Sequence, residues 1–220
     1  MGYRFSLDAA IAAAGVHPKK GDVILDLGTG CGIIALMLAF RYAFVRIIGI
    51  EIQDRLVDLA RTNIRENKLD KQIAIVPGDV RKLHSRDVGG PVDWIVCNPP
   101  YRKARSGRIN PETQKALARH EINITMTDIV HCAQKFLHNG GQFVSIYPAE
   151  RGVDLLANMR QAGIEPKWMQ CVHSHAGDKA KLLCVRGKKG GRPGLSIQSP
   201  MVIYDEQGAY TDEVEHLLHP

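Results

Sequence analysis

The sequence predicts an α/β fold, a mostly parallel β-sheet with helices on both faces in three layers, on three observations. Short apolar runs rich in β-branched residues alternate with segments whose apolar residues recur at helical spacing, and such alternation demands a parallel sheet covered on both sides. A glycine-rich turn joins the first of these runs to an apolar helix. The last two long strand-like runs have no helix between them, which calls for an antiparallel hairpin at one edge.

In chain order, residues 6–16 carry an acid near the start and an alanine-rich stretch, a helix ended near Gly15. Asp8 fits two readings equally, a charge at a helix N-terminus or a ligand contact. Residues 23–27 form a buried strand, and Gly28-Thr29-Gly30-Cys31-Gly32 leads into a helix over 33–41. A second strand over 45–50 ends in Glu51, and 54–67 alternates charges and aliphatics as a helix. A third strand over 73–76 runs into Pro77-Gly78-Asp79. Residues 92–97 make a fourth, buried strand bounded upstream by Gly89-Gly90-Pro91. A helix over 123–137 closes at His138-Asn139-Gly140-Gly141, a fifth strand follows over 143–147, and another helix spans 153–162. Residues 166–173 and 182–186 form the hairpin, and 195–220 add a strand (201–204) and a short terminal helix. No repeat or linker interrupts the 220 residues, which read as one domain with an N-terminal helical segment over 1–20. The abrupt Met1-Gly2-Tyr3 start leads to the expectation of a missing preceding segment.

Hydrophobic residues make up 45% and charged residues 24% of the chain, ordinary for a globular protein, and a chain this long buries roughly 70% of its unfolded surface without metal or disulfide. Apolar runs such as 33–40 are far short of a membrane span, and no secretory leader is visible. Five cysteines, never spaced as C-x-x-C, point to reduced thiols in a cytoplasmic protein and away from a metal site. His173 and His175 lack a third ligand in a suitable pattern.

The fourth strand ends in Asn98-Pro99-Pro100-Tyr101. Neither proline can donate to a ladder, and each holds the residue before it extended. The Asn98 amide and the Pro99 carbonyl thus become two fixed acceptors, able to take both hydrogens of a planar NH2 group, with Tyr101 as a flat face for the ring that carries it. Upstream, the glycine turn permits close backbone approach to a ligand at a helix N-terminus, but its G-x-G-x-G spacing departs from the dinucleotide fingerprint. Asp26, Glu51 and Asp79 all fall at carboxyl ends of predicted strands, where open α/β sheets bind ligands. Glu51 suits a bidentate bond to ribose hydroxyls and Asp79 an exocyclic adenine amine. Three carboxylates would repel a pyrophosphate and favour a cation without phosphate, such as the sulfonium S-adenosylmethionine.

Taken with Phe5-Ser6-Leu7-Asp8, these motifs and the following Arg102-Lys103 resemble those of class I S-adenosylmethionine-dependent methyltransferases of amino groups. Among these the chain is most similar to bacterial enzymes that methylate N6 of an anticodon-loop adenine in a valine tRNA. The resemblance implies a Rossmann-like sheet of seven strands with one antiparallel. It also implies a catalytic set of Asn98, Pro99, Pro100 and Tyr101, and a cofactor set of Asp8, Asp26, Gly28, Thr29, Gly30, Cys31, Gly32, Glu51, Ile52, Asp79, Val80 and Asn98. The same four-residue motif serves relatives that methylate a glutamine amide or another base. Those acting on glutamine usually carry an N-terminal recognition domain, for which this chain has no room.

Net charge is +6, and its placement favours an RNA partner. Residues 102–119 hold six basic side chains and one acid, so Arg102, Lys103, Arg105 and Arg108 are candidates to clamp phosphates beside the site. A second cluster comprises Lys179, Lys181, Arg186, Lys188, Lys189 and Arg192, with Lys188 and Lys189 the expected RNA contacts. A non-catalytic RNA-binding module and a nicotinamide oxidoreductase are the other classes considered; the glycine spacing and the carboxylates disfavour the latter.

Overall fold

A computed structural model describes residues 7–99 and 124–218. Its sheet is ordered β3-β2-β1-β4-β5-β7-β6-β8, with β9 also paired to β6. The strands are β1 Val23–Leu27, β2 Arg46–Glu51, β3 Ile73–Pro77, β4 Val92–Cys97, β5 Leu137–Pro148, β6 Ile164–His173, β7 Leu182–Lys189, and the two-residue β8 Ser196–Ile197 and β9 Met201–Val202. Strands β1 to β5 are mutually parallel, while β7 lies antiparallel between β5 and β6. The hairpin is therefore present, and its second strand is inserted inside the sheet. The two short strands raise the expected seven to nine among the described residues.

Alternating side chains of the strands point into two cores. Ile24, Ile47, Trp94, Val96, Val144 and Ile146 meet helices α1 (Leu7–Ala14), α2 (Ile33–Arg41) and α3 (Asp54–Glu66) and the terminal helix α7 (Asp212–Leu218). Leu25, Ile48, Ile95, Cys97 and Phe143 meet α5 (Met126–Phe136) and α6 (Gly152–Gln161) on the other face, where the single turn α4 (Ser85–Val88) also contributes. Thr125 and Asp128 form a reciprocal capping box at the start of α5, with the Asp128 amide donating to Thr125 Oγ1 and the Thr125 amide to Asp128 Oδ2.

Several boundaries differ from expectation; β7 runs to Lys189 where 182–186 was expected, and β9 stops at Val202. Residues 138–141, read as a loop, belong to β5. That strand pairs Leu137 with Val92 and Gln142 with Trp94, so extra residues bulge out between them. Strand β6 starts at Ile164 and runs through Pro166, whose missing N–H falls at a register shift opposite Gly187. Among the described residues no helix is long and apolar enough to cross a membrane, and no group of three His, Cys, Asp or Glu is placed to hold a metal ion. All five cysteines are free thiols.

Candidate active site

Register decides which residues stand side by side at the carboxyl edge of the sheet. Leu27 is level with Ile50 of β2 and Cys97 of β4, and Glu51 is level with Pro77 of β3. Asp79, then Glu51-Ile52, then the loop 28–32, then Asn98-Pro99 consequently line up along one edge. The strand order reverses beside β1, the switch point at which open α/β sheets bind ligands.

Asp26 is fully buried in β1. Its Oδ2 accepts from the Thr29 hydroxyl at 2.6 Å, and its Oδ1 has no hydrogen-bond partner among the described residues. Burial pushes the carboxyl up to about 7, with nearby Glu51 adding to the rise and the Thr29 hydroxyl and Ala35 amide opposing it. Leaving a buried acceptor unpaired costs about 1–3 kcal/mol, so this oxygen calls for a donor beyond those the described residues supply.

Glu51 is only 5% exposed. Its Oε1 accepts from the Ile52 and Gln53 amides at 2.9 Å each, and its Oε2 accepts from the Gly30 amide at 3.0 Å, tying β2 to the glycine loop. A carboxylate has about four acceptor positions, so gripping two ribose hydroxyls at once requires the Gly30 bond to give way. Asp79 is also engaged. Arg81 reaches both of its oxygens through Nε and Nη2, at 2.6 to 3.1 Å, and donates its amide to Oδ1 at 2.9 Å. That guanidinium holds the Asp79 carboxyl below its ordinary range. Val80 is buried beside it in the 3-10 turn Val80–Lys82. Asp8 stands half-buried in the first turn of α1, a place compatible with either of its readings.

Asn98 is half-buried and Pro99 buried. Just before them the Cys97 thiol donates to the Leu27 carbonyl at 3.2 Å, and burial raises that thiol well above its ordinary range. An inert thiol thus pins the end of β4 to the start of the glycine loop. Pro100, Tyr101, Arg102, Lys103, Arg105 and Arg108 lie outside the described residues.

The second basic cluster is split by the fold. Lys179 and Lys181 sit in the β6–β7 turn at the site edge, where the Ala149 amide donates to the Lys181 carbonyl. Lys188 is level with Gln142 near the start of β5, about 23 Å of strand away at 3.3 Å per residue. Lys189 donates its ammonium to the carbonyls of Gln134 and Leu137, capping α5 at its C-terminus. Because β7 runs antiparallel, it carries Lys188 and Lys189, the expected RNA contacts, away from the edge that holds Asn98.

Two residues that shape the loop were not among the expected set. Gly49 in β2 is where a Cβ would come within 2.8 Å of Thr29 Cγ2 and 2.7 Å of Ile75 Cδ1; its hydrogen leaves room for Thr29 to reach Asp26. A glycine inside an isoleucine-rich strand was the available signal. Asn63 on α3 donates to the Cys31 carbonyl at 2.9 Å, fixing the loop from the helix side.

The chemistry fits a cationic, phosphate-free cofactor. Gly28 and Gly30 hold φ of 71° and 60°, and a Cβ on either would meet nothing within 4 Å, so the loop leaves open space above it. The side chains at that edge offer three carboxyls, one of them with an orphaned buried oxygen (Asp26 Oδ1) and one paired with Arg81, a set that favours a cation over a pyrophosphate.

A family model, the methyltransferase small domain, matches residues 9–161. Among curated relatives, a protein of Porphyromonas gingivalis named tRNA1(Val) (adenine(37)-N6)-methyltransferase is 37% identical over 145 residues, 65% of this chain and 55% of that one. Its namesake in Aeromonas salmonicida is 29% identical over 199 residues, 90% of this chain and 80% of that one. Against the two Porphyromonas gingivalis proteins the match spans about half their length. Among solved structures, a predicted O-methyltransferase of Agrobacterium tumefaciens superposes with a TM-score of 0.77 at 20% identity, covering 96% of this chain and 95% of its own. TrmN from Thermus thermophilus gives 0.56 at 19% identity, covering 82% and 48%. At these identities the likeness is one of fold.

Proposed function

Because the chain belongs to the methyltransferase small domain family, we propose that it transfers a methyl group from S-adenosylmethionine to N6 of an adenine in a tRNA anticodon loop. The observation that carries this reading is the register that sets Asn98-Pro99 at the end of β4 beside the glycine loop at the end of β1. The choice of adenine in tRNA is supported by relatives bearing that activity in their names at 26–37% identity. One sheet running from β3 to β8 supports treating the chain as a single catalytic domain.

When bound, S-adenosylmethionine supplies an electrophilic methyl carbon. The chain's own part is reception and aim. Asp26 Oδ1 would accept from the ligand's ammonium group, Glu51 would receive ribose hydroxyls, and Ile52, Asp79 and Val80 would border the adenine. Asn98 Oδ1 and the Pro99 carbonyl accept the two hydrogens of the target amine, whose lone pair is otherwise delocalised into its ring. Fixing both hydrogens turns the nitrogen toward the methyl carbon and stabilises the positive charge that builds on it. Extruding a base costs a few kcal/mol, least for one already unpaired, and stacking on Tyr101 returns about 1–3 kcal/mol. Arg102, Lys103, Arg105 and Arg108 follow the motif directly and take the neighbouring phosphates.

Incubation with total bacterial tRNA and methyl-labelled S-adenosylmethionine, followed by nucleoside identification, tests the reading. Label in N6-methyladenosine is the expected result. Label in another base or in a protein glutamine, or no transfer at all, overturns it.

A further inference from the structure

Beyond residue 161, where the family match ends, the chain builds a feature that the methyl-transfer site does not use. His175, Tyr204 and Tyr210 form a three-ring column. Tyr204 and Tyr210 stack with centroids 5.4 Å apart and planes 15° from parallel, and His175 leans on Tyr204 at 5.5 Å and 34°. The two end members, His175 and Tyr210, are exposed, and Tyr204 between them is partly covered.

The column is held by backbone. The Tyr204 amide donates to the Ser174 carbonyl and the Ile203 amide to the His173 carbonyl, at 2.9 Å each, extending β9 along β6. Tyr204 and Tyr210 pair across a tight turn in which Asp205 Oδ1 accepts from the Gln207 and Ala209 amides at 2.9 Å each. Thr211 Oγ1 closes the turn onto the Val202 carbonyl at 2.7 Å. On the other side, Asp178 places His175 through a 3.4 Å contact to Nδ1. The rings are thus presented in fixed orientation, at little entropic cost to whatever stacks on them.

Topology puts the column at the site edge. Val172 is level with Leu182, which is level with Pro148 at the carboxyl end of β5, and His173 is level with Val202. Four strand spacings of about 4.8 Å across the sheet and a few residues of about 3.3 Å along it place Tyr204 roughly 25 Å from Asn98. Lys179 and Lys181 are exposed on the turn that carries His175. The acids nearby in sequence are Asp178 and Asp205, both used in holding the column, and exposed Glu206, Asp212 and Glu213.

We propose that the His175–Tyr204–Tyr210 column is a stacking platform for an unpaired nucleotide of the RNA substrate, with Lys179 and Lys181 on the adjoining phosphates; this rests on the RNA reading above and assigns part of that recognition to the segment beyond the family match. Aromatic faces held beside lysines are what single-stranded RNA stacks upon. Acids outnumber the two lysines around the column, so stacking, and not phosphate neutralisation, is the main source of binding here.

The test uses the full chain and an anticodon stem-loop RNA in which 2-aminopurine is moved through the loop. The expected result is that one position loses fluorescence on binding, and that Tyr210→Ala restores it and weakens RNA binding about 5- to 100-fold. Tyr210→Phe, which keeps the ring, should behave as the wild type, and the thermal midpoint and S-adenosylmethionine affinity of Tyr210→Ala should stay unchanged. His175→Ala provides the second variant should Tyr210→Ala disturb the turn. RNA affinity unchanged in both alanine variants, while the wild type methylates the RNA, overturns the platform and leaves the enzymatic reading intact. A wild type that binds no RNA overturns both.

Discussion

At the amino ends of the parallel strands, polar side chains are turned on the fold itself. Asp22 Oδ2 accepts from the Trp94 indole at 3.0 Å, Asp93 Oδ2 accepts from the Val23 amide at 2.8 Å, and His138 Nε2 lies 3.0 Å from Asp93 Oδ1. Lys189 closes the same end by capping α5. At the carboxyl ends, by contrast, Asp26 is buried with one oxygen unpartnered among the described residues, and a Cβ on Gly28 or Gly30 would meet none of the described residues within 4 Å. Both ends are charged, but only one carries an unmet bonding requirement. Composition cannot make that distinction, whereas the direction of each strand does.

The difference can be broken most severely at Asn98. Asn98→Ala removes one of the two acceptors proposed for the target amine, and turnover should fall on the order of a thousandfold, the upper range for deleting one preorganised polar contact. S-adenosylmethionine affinity, measured by calorimetry, should change less than threefold. A variant that retained full turnover would end the role assigned to that amide.

Asp26 sharpens the contrast through pH. Its folded carboxyl sits at about 7 against an unfolded value near 3.8. Below about pH 4 both states hold the proton and the group contributes nothing. Between 4 and 7 only the folded state holds it, so stability falls as pH rises, and above 7 the penalty is complete, on the order of 4 kcal/mol. Asp26→Asn removes this charge penalty but leaves an amide N–H to satisfy, which takes back about 1–3 kcal/mol. A net gain of about 2 kcal/mol at pH 8 and a flatter stability profile from pH 5 to 8 are expected in urea denaturation. A cationic ligand needs the charged carboxylate, so S-adenosylmethionine affinity of the wild type should rise with pH through about 7, and this rise should vanish in Asp26→Asn.

Local pattern made much of this edge legible. An isoleucine- and valine-rich strand stopped by Asn98-Pro99, glycines after Asp26, and Glu51 closing a strand are all contiguous signals, and parallel register then carried them to one line. What stayed hidden depends on which donors each side chain is turned toward. The oxygens of Glu51 are taken by amides of Gly30, Ile52 and Gln53, and Asp79 is claimed by Arg81, neither of which strand-end position reveals. Residues 138–141 carry turn-forming Asn and Gly yet lie in β5, as the bulged residues between the Leu137–Val92 and Gln142–Trp94 pairs. His175, Tyr204 and Tyr210 stand apart in sequence and become a column only through the pairing of β9 with β6.

A smaller effect is expected at the opposite end. Lys189→Met keeps the aliphatic stem but removes the charged donor from the Gln134 and Leu137 carbonyls, which should cost about 1–2 kcal/mol of stability. Methylation at a temperature well below unfolding should be unaltered. A loss of RNA affinity without loss of stability would show that this lysine does reach the substrate.

The finest separation lies between Lys181 and Lys188, which composition places in one basic cluster and β7 places at opposite ends of the strand. Each phosphate neutralised on a single strand contributes about 0.7 to the slope of log affinity against log salt. Lys181→Ala should make the slope shallower by about that amount and weaken binding severalfold at low salt. Lys188→Ala should leave both slope and affinity where they are, because it sits at the other end of β7, level with Gln142. Equal effects of the two substitutions would mean that the RNA wraps the full height of the sheet, and the contrast between its two ends would then hold for the cofactor alone.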